Sequence, residues 1–209
     1  MDAFFDTGPL ERRLVRLEPL GVEHVPGLVE AAQEGRERYV LTGVPADEGE
    51  AREYVARMLT GREMNSVVAF ATIDCCTGRV VGSTRFCNFE NWRWQEKYRR
   101  RSPAIPDAVE IGGTWLARDA QRTGINREAK LLMLEVAFER WQVHRVRFRT
   151  DARNERSRAA ITALGAQLDG VLRAETAGYD GAIRDSATYS MLASEWPDIR
   201  KALEASLHR

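Results

Sequence analysis

EIGGTWLARDAQRTGIN, residues 110–126, carries the reading of the whole chain. Its first part lies in an apolar run over 108–117 that predicts a strand, and Gly112-Gly113 marks a bulge or a close backbone approach. Alternation along that strand puts Glu110, Gly112 and Thr114 on one face, and Val109, Ile111 and Trp115 on the other. Gln121-Arg122-Thr123-Gly124-Ile125-Asn126 then turns into a helical pattern that runs to Trp141. A helix start carries N–H groups without intrahelical partners and a partial positive charge. Gly124 allows close approach and Arg122 and Arg127 flank it, so the turn reads as a cradle for a phosphate or pyrophosphate. An ordinary strand-to-helix turn with surface arginines fits the same residues.

Outward from there, Ala129, Leu132, Met133, Val136, Ala137 and Trp141 lie along one helix face, widened by Leu131, Leu134 and Phe138. A strand over 145–151 follows, and Asn154-Glu155-Arg156-Ser157 opens a helix that stops at Gly165. Residues 167–175 and 183–193 predict a hairpin around Asp180-Gly181, and 195–207 a terminal helix opened by Trp196-Pro197. Upstream, a strand over 12–18 precedes a helix over 22–34 that Gly35 stops. A second helix starts at Asp47, buries Tyr54, Val55 and Met58, and ends at Gly61. A hairpin over 66–74 and 79–89 turns at Thr77-Gly78. Residues 91–107 break the pattern with Trp92, Trp94, Tyr98, Arg99-Arg100-Arg101, Pro103 and Pro106, and read as a long ordered loop or flap. This order of elements predicts an α/β domain with a mixed sheet.

The 209 residues suffice for one domain, 1–209, and 31 basic against 31 acidic side chains give no global pull toward nucleic acid or membrane. There is no basic-then-apolar leader and no apolar run long enough to span a bilayer. Cys75, Cys76 and Cys87 lack zinc-type spacing and read as reduced, buried strand residues, which points to a cytoplasmic chain without a metal site.

The 121–126 turn resembles the Q/R-x-x-G-x-G/A loop of the GNAT N-acetyltransferase superfamily. The strings from Glu110 to Leu116 and from Asp151 to Ser157 resemble its RimJ/RimL-like branch. The likeness covers about 108–165; Asn126 departs from the small residue usual at that position. It implies a GNAT fold of about seven strands in a mixed central sheet flanked by helices, with an added C-terminal helix. It also implies acetyl-CoA as cofactor, and dimers are common among such proteins.

By the same resemblance, Gln121, Arg122, Thr123, Gly124, Ile125 and Asn126 would hold the pyrophosphate. The backbone of Leu116 and Ala117 would pair with the pantetheine amides, Asn154 would bond the pantetheine arm, and Arg158 would reach the nucleotide phosphate. Glu110 would take the proton of the acceptor amine, and Ser157 would donate to the leaving sulfur while also binding the cofactor. Each residue also has a plain structural reading. Glu110 fits a strand-end salt bridge, Asn154 and Ser157 fit a helix cap, and Arg158 fits a solvated helix surface. Trp92 and Trp94 fit either a stacking platform for substrate or a cap on the core beneath the flap.

Direct transfer from acetyl-CoA to a primary amine is the activity expected. The acceptor is a protein N-terminal α-amine or an amino-acid-like small molecule, chosen by residues 35–47, 91–107 and 176–184. A detoxifying enzyme acting on an antibiotic or aminoacyl-nucleotide, and a non-catalytic acyl-CoA-binding module, are the alternatives. A basic-loop RNA-binding module fits poorly with zero net charge.

Overall fold

The computed structural model describes residues 5–33, 35–98, 102 and 105–207. The expected helix end at Glu34, the basic run Arg99-Arg100-Arg101 and Pro103 lie outside them. In chain order the elements are β1 (Leu10–Glu11), β2 (Val15–Pro19), α1 (Val25–Gln33), α2 (Glu48–Glu63), β3 (Val67–Asp74), β4 (Val80–Glu90) and β5 (Ala108–Leu116). They continue as α3 (Ile125–Glu135), β6 (Arg145–Asp151), α4 (Glu155–Ala163), β7 (Gln167–Ala177), β8 (Ile183–Leu192) and α5 (Trp196–Leu207). The chain is thus an α/β protein around a mixed sheet, which among the described residues has eight strands in the order β1-β2-β3-β4-β5-β6-β8-β7. The strand beyond the seven expected is β1, two residues paired to β2 at the sheet edge.

Every neighbouring pair is antiparallel except β5–β6. A parallel pair needs a crossover, and α3 supplies it. Successive residues of β4 show which helix covers which face. Ser83 bonds Tyr54 of α2 at 2.8 Å, whereas Thr84 is bonded by Lys130 of α3 at 2.7 Å. So α2, with α1 packed beside it, covers one face, and α3, with α5 packed on it, covers the other. Phe70, Phe86 and Trp141 are fully buried on the α3 side, the Phe86 and Trp141 rings 4.5 Å apart. Truncating a side chain like Phe86 to alanine would cost about 3–5 kcal/mol.

Several expectations are corrected. Gly61 does not end α2, which runs on to Glu63. A Cβ at Gly61 would lie 3.0 Å from Val67, so the glycine lets the helix lie close against β3, and Asn65 (φ 53°) takes the left-handed position instead. Cys75 and Cys76 lie in the β3–β4 turn, Cys76 exposed, and only Cys87 is on a strand. The helix after residue 125 widens into a π turn over Val136–Arg140, where Trp141 N–H donates to the Val136 carbonyl at 2.8 Å.

The alternation expected for β5 also breaks. Ser83 faces Trp115 and Arg85 faces Gly112, so β5 carries one extra residue there. Gly113, at φ 58°, makes that bulge possible. Past it the faces exchange: Thr114 turns to α3, and Trp115 joins Glu110 and Gly112 on the α2 face.

Candidate active site

The parallel pairing of β5 and β6 is confined to Ala108↔Arg145, Val109↔Val146 and Glu110↔Arg147. Beyond Glu110 the strands part. β5 continues to Leu116 held only by β4, and β6 to Asp151 held only by β8. Backbone groups of β5 over 111–116 therefore face a gap rather than a neighbouring strand, and buried backbone groups need partners. The gap opens into a groove of about 1230 Å³ bordered by β5, β6, the starts of α3 and α4, and the 39–45 and 179–180 loops.

The 121–126 turn forms one end of this groove. Arg122 (φ 65°) and Gly124 (φ 94°) adopt left-handed backbone angles. Gly124 caps α3 without a side-chain acceptor of its own, and Ile125 N–H meets only the Thr123 hydroxyl, at a long 3.4 Å. Gln121, Arg122, Gly124, Asn126 and Arg127 line the groove, joined by Arg156 from α4. An uncapped eleven-residue helix start ringed by guanidiniums fits a pyrophosphate. Thr123 and Ile125 alternate inward: the Thr123 hydroxyl donates to the Ala120 carbonyl at 2.8 Å, and Ile125 is core. Leu116 lines the groove and its carbonyl accepts from Tyr39 at 2.9 Å, whereas Ala117 N–H is engaged by the Val81 carbonyl.

Glu110 stands at the point where the strands part and is 5% exposed. Its Oε2 accepts from Asn88 at 3.0 Å and from Arg147 Nε at 3.2 Å, and Oε1 lies 3.7 Å from Arg149. The carboxylate thus both borders the groove and belongs to an ion-pair network. Asn154 and Ser157 reach the groove from the start of α4, and Asn154 Oδ1 caps that helix through Ser157 N–H at 3.0 Å. Arg158 points elsewhere, its guanidinium bonded to the Tyr189 hydroxyl at 3.1 Å and to the Ala152 carbonyl.

Trp92 and Trp94 lie at the opposite end of β5. The Trp92 ring stacks on His144 at 5.6 Å, and both tryptophans bond Asp107, Trp92 through its backbone N–H and Trp94 through its indole. They are partly exposed and do not border the groove, so this geometry gives no support to a stacking platform at the site. The 35–47 and 176–184 loops do contribute to its wall.

Sequence reasoning missed Lys130. It is 3% exposed, borders the groove and donates to Thr84 Oγ1 and Thr114 Oγ1, each at 2.7 Å. Burial pushes its ammonium down to about 7. The available signal was a lysine between Ala129 and Leu131, inside the apolar face of the helix. Tyr39 was missed for want of any motif; burial pushes its hydroxyl up.

The acetyltransferase (GNAT) domain model matches residues 14–167. The chain belongs to the GNAT acetyltransferase family. As a GNAT acetyltransferase it is an enzyme, and acetyl-CoA is its acetyl donor. Solved relatives agree. A protein from T. thermophilus assigned as an acetyltransferase is 33% identical over 96% of this chain and 97% of its own, with a TM-score of 0.77. A GCN5-related N-acetyltransferase from Brucella melitensis is 26% identical over 95% and 85%, with a TM-score of 0.80. Mycobacterium smegmatis RimJ, solved with CoA-disulfide, shares the fold at 20% identity over 95% and 93%, TM-score 0.76. No curated protein matches the chain. Among the described residues, no helix is long and apolar enough to cross a membrane.

Proposed function

We propose that this GNAT protein is an N-acetyltransferase of the RimJ/RimL-like branch, acting as a single domain. It moves acetyl to a primary amine, either a protein N-terminal α-amine or the amine of an amino-acid-like small molecule, by direct attack in a ternary complex. The observation carrying this reading is the juxtaposition of three features: the parted strands, the uncapped start of α3 at one end of the gap, and Glu110 where the strands meet.

Bound there, acetyl-CoA supplies an acetyl group activated as a thioester. The start of α3 with Arg122, Arg127 and Arg156 holds the pyrophosphate by fixed dipoles and charge. The free edge of β5 and the side chain of Asn154 hold the amide-bearing arm. Glu110 accepts the proton of the acceptor ammonium, directly or through water, which frees the nitrogen lone pair. The bulge backbone at Gly112-Gly113 lies in the groove wall to donate to the carbonyl oxygen as charge develops. The Ser157 hydroxyl stabilises the departing thiolate by a hydrogen bond, since a serine hydroxyl is too weak an acid to give up its proton fully.

Release of free thiol from acetyl-CoA across a panel of amines tests the reading. Glu110→Gln should lower turnover by about 10²–10⁴-fold, the usual reach of general base catalysis, with acetyl-CoA affinity retained. Unaltered turnover in that variant at every pH would remove Glu110 from the chemistry.

A further inference from the structure

Arg85 projects from β4 onto the α2 face, the same face as Glu110, because Arg85 pairs with Gly112 and Cys87 pairs with Glu110. Arg85 and Glu110 are therefore diagonal neighbours across the two strands, and both border the groove. A Cβ on Gly113 would fall 2.6 Å from the Arg85 guanidinium carbon, so the charge lies directly against the bulge.

The arginines of β6 are matched by acids. Arg145 pairs with Glu90 at 2.8 Å, Arg147 with Glu110 at 3.2 Å, and Arg149 with Glu175 at 2.6 Å. Arg85 is not. Its neighbours are the Met58 sulfur at 3.8 Å, the Tyr54 hydroxyl and the Cys87 thiol. Neither of the last two is a carboxylate, and burial pushes the Cys87 thiol up. Among the described residues no carboxylate pairs with it. A half-buried guanidinium without a counter-charge is costly unless a ligand supplies one. An incoming ammonium alone would add to the excess of positive charge on this face.

We propose that Arg85 is an anion subsite for the acceptor: the amine acetylated here carries a carboxylate that pairs with this guanidinium while its nitrogen lies toward Glu110. This rests on the N-acetyltransferase reading and narrows it to amines bearing an acidic group. The guanidinium fork suits a carboxylate held by two parallel hydrogen bonds. The carboxylate is either the α-carboxylate of a free amino acid-like molecule or the side chain of an acidic N-terminal residue.

The test is calorimetric titration of CoA-saturated protein with N-acetyl amino acids of small, branched and aromatic side chains, each beside its primary amide. A second arm uses N-acetyl-aspartyl and N-acetyl-glutamyl amides beside their asparaginyl and glutaminyl counterparts. In at least one pair the carboxylate should bind roughly 10- to 100-fold more tightly than its amide, the usual strength of a charge-assisted pair. The arm in which this occurs identifies the source of the acid. Arg85→Gln should abolish the preference with CoA affinity kept, and Arg85→Lys should retain part of it, which covers the case of a poorly folding glutamine variant. Absence of any preference in every pair, or a preference that survives both substitutions, would overturn the proposal. Failure to bind CoA would instead count against the transferase reading, and the same titrations on the protein alone would still judge Arg85.

Discussion

At the scale of single residues, Lys130 and Ser157 make separable predictions. An unfolded lysine keeps its proton up to about 10.4, whereas buried Lys130 releases it near 7. Between those values the unfolded chain binds the extra proton, so Lys130 makes stability rise with pH, by up to about 1.4 kcal/mol per pH unit. Below about 7 both states are protonated, and the penalty for the buried charge is full and flat. Lys130→Met should remove that slope and raise stability most at and below neutral pH, because the Thr84–Thr114 hydrogen bond of 2.9 Å remains. Urea unfolding of both proteins from pH 6 to about 9.5 reads this difference directly; parallel curves would show that the amine is not neutralised in the fold. Ser157→Ala should slow the transfer step, and an unchanged single-turnover rate would leave Ser157 only a helix-start residue. Neither Lys130 nor Arg85 was legible beforehand. Periodicity reports which face a residue occupies, while a missing counter-charge depends on side chains brought from other elements.

At the scale of elements, the cap of α4 and the bulge of β5 have structural roles that can be separated from the roles proposed for them in catalysis. Asn154→Ala removes the acceptor for Ser157 N–H and should cost about 1 kcal/mol in stability. Asn154→Asp keeps the cap, so weakened acetyl-CoA binding in that variant, with thermal stability preserved, isolates the contact to the pantetheine arm from the cap. Gly113→Val should destabilise by about 1–3 kcal/mol or more, since a β-branched residue is placed at φ 58° against the Arg85 guanidinium. A thermal midpoint within error of the wild type would contradict the bulge as described. The glycine pair announced this bulge in the sequence, but not its consequence. Counting alternation straight through it sent Thr114 and Trp115 to the wrong faces, because one extra residue exchanges the faces of everything beyond it. Gly61 misled for a related reason: its role is close approach to Val67, which sequence spacing does not distinguish from a helix stop.

At the scale of the molecule, the order of strands and helices was readable because each element has strong local signals: periodicity, caps and turn glycines. The site was readable only where it is built from local chain. Gln121, Arg122, Gly124 and Asn126 of the turn, and Asn154 and Ser157 of the α4 start, border the groove, whereas Thr123 and Ile125 do not. What could not be read were contributions assembled across the sheet, such as Tyr39 from the 35–47 segment, Arg85 from β4 and Lys130 from the buried side of α3. The tryptophans show the converse. Aromatic residues in a basic loop resemble a substrate platform, yet the parallel register places them at the closed end of β5, against His144. Parting of β5 and β6 makes the central claim, that this gap is the acetyl-CoA groove. One measurement tests it most directly: calorimetric titration of acetyl-CoA into the wild type, Gly124→Trp and Arg122→Glu, with folding followed by circular dichroism. Binding at one site per chain by the wild type, strongly weakened in both folded variants, is the predicted result. No binding by the wild type, or affinity indifferent to both substitutions, would contradict it.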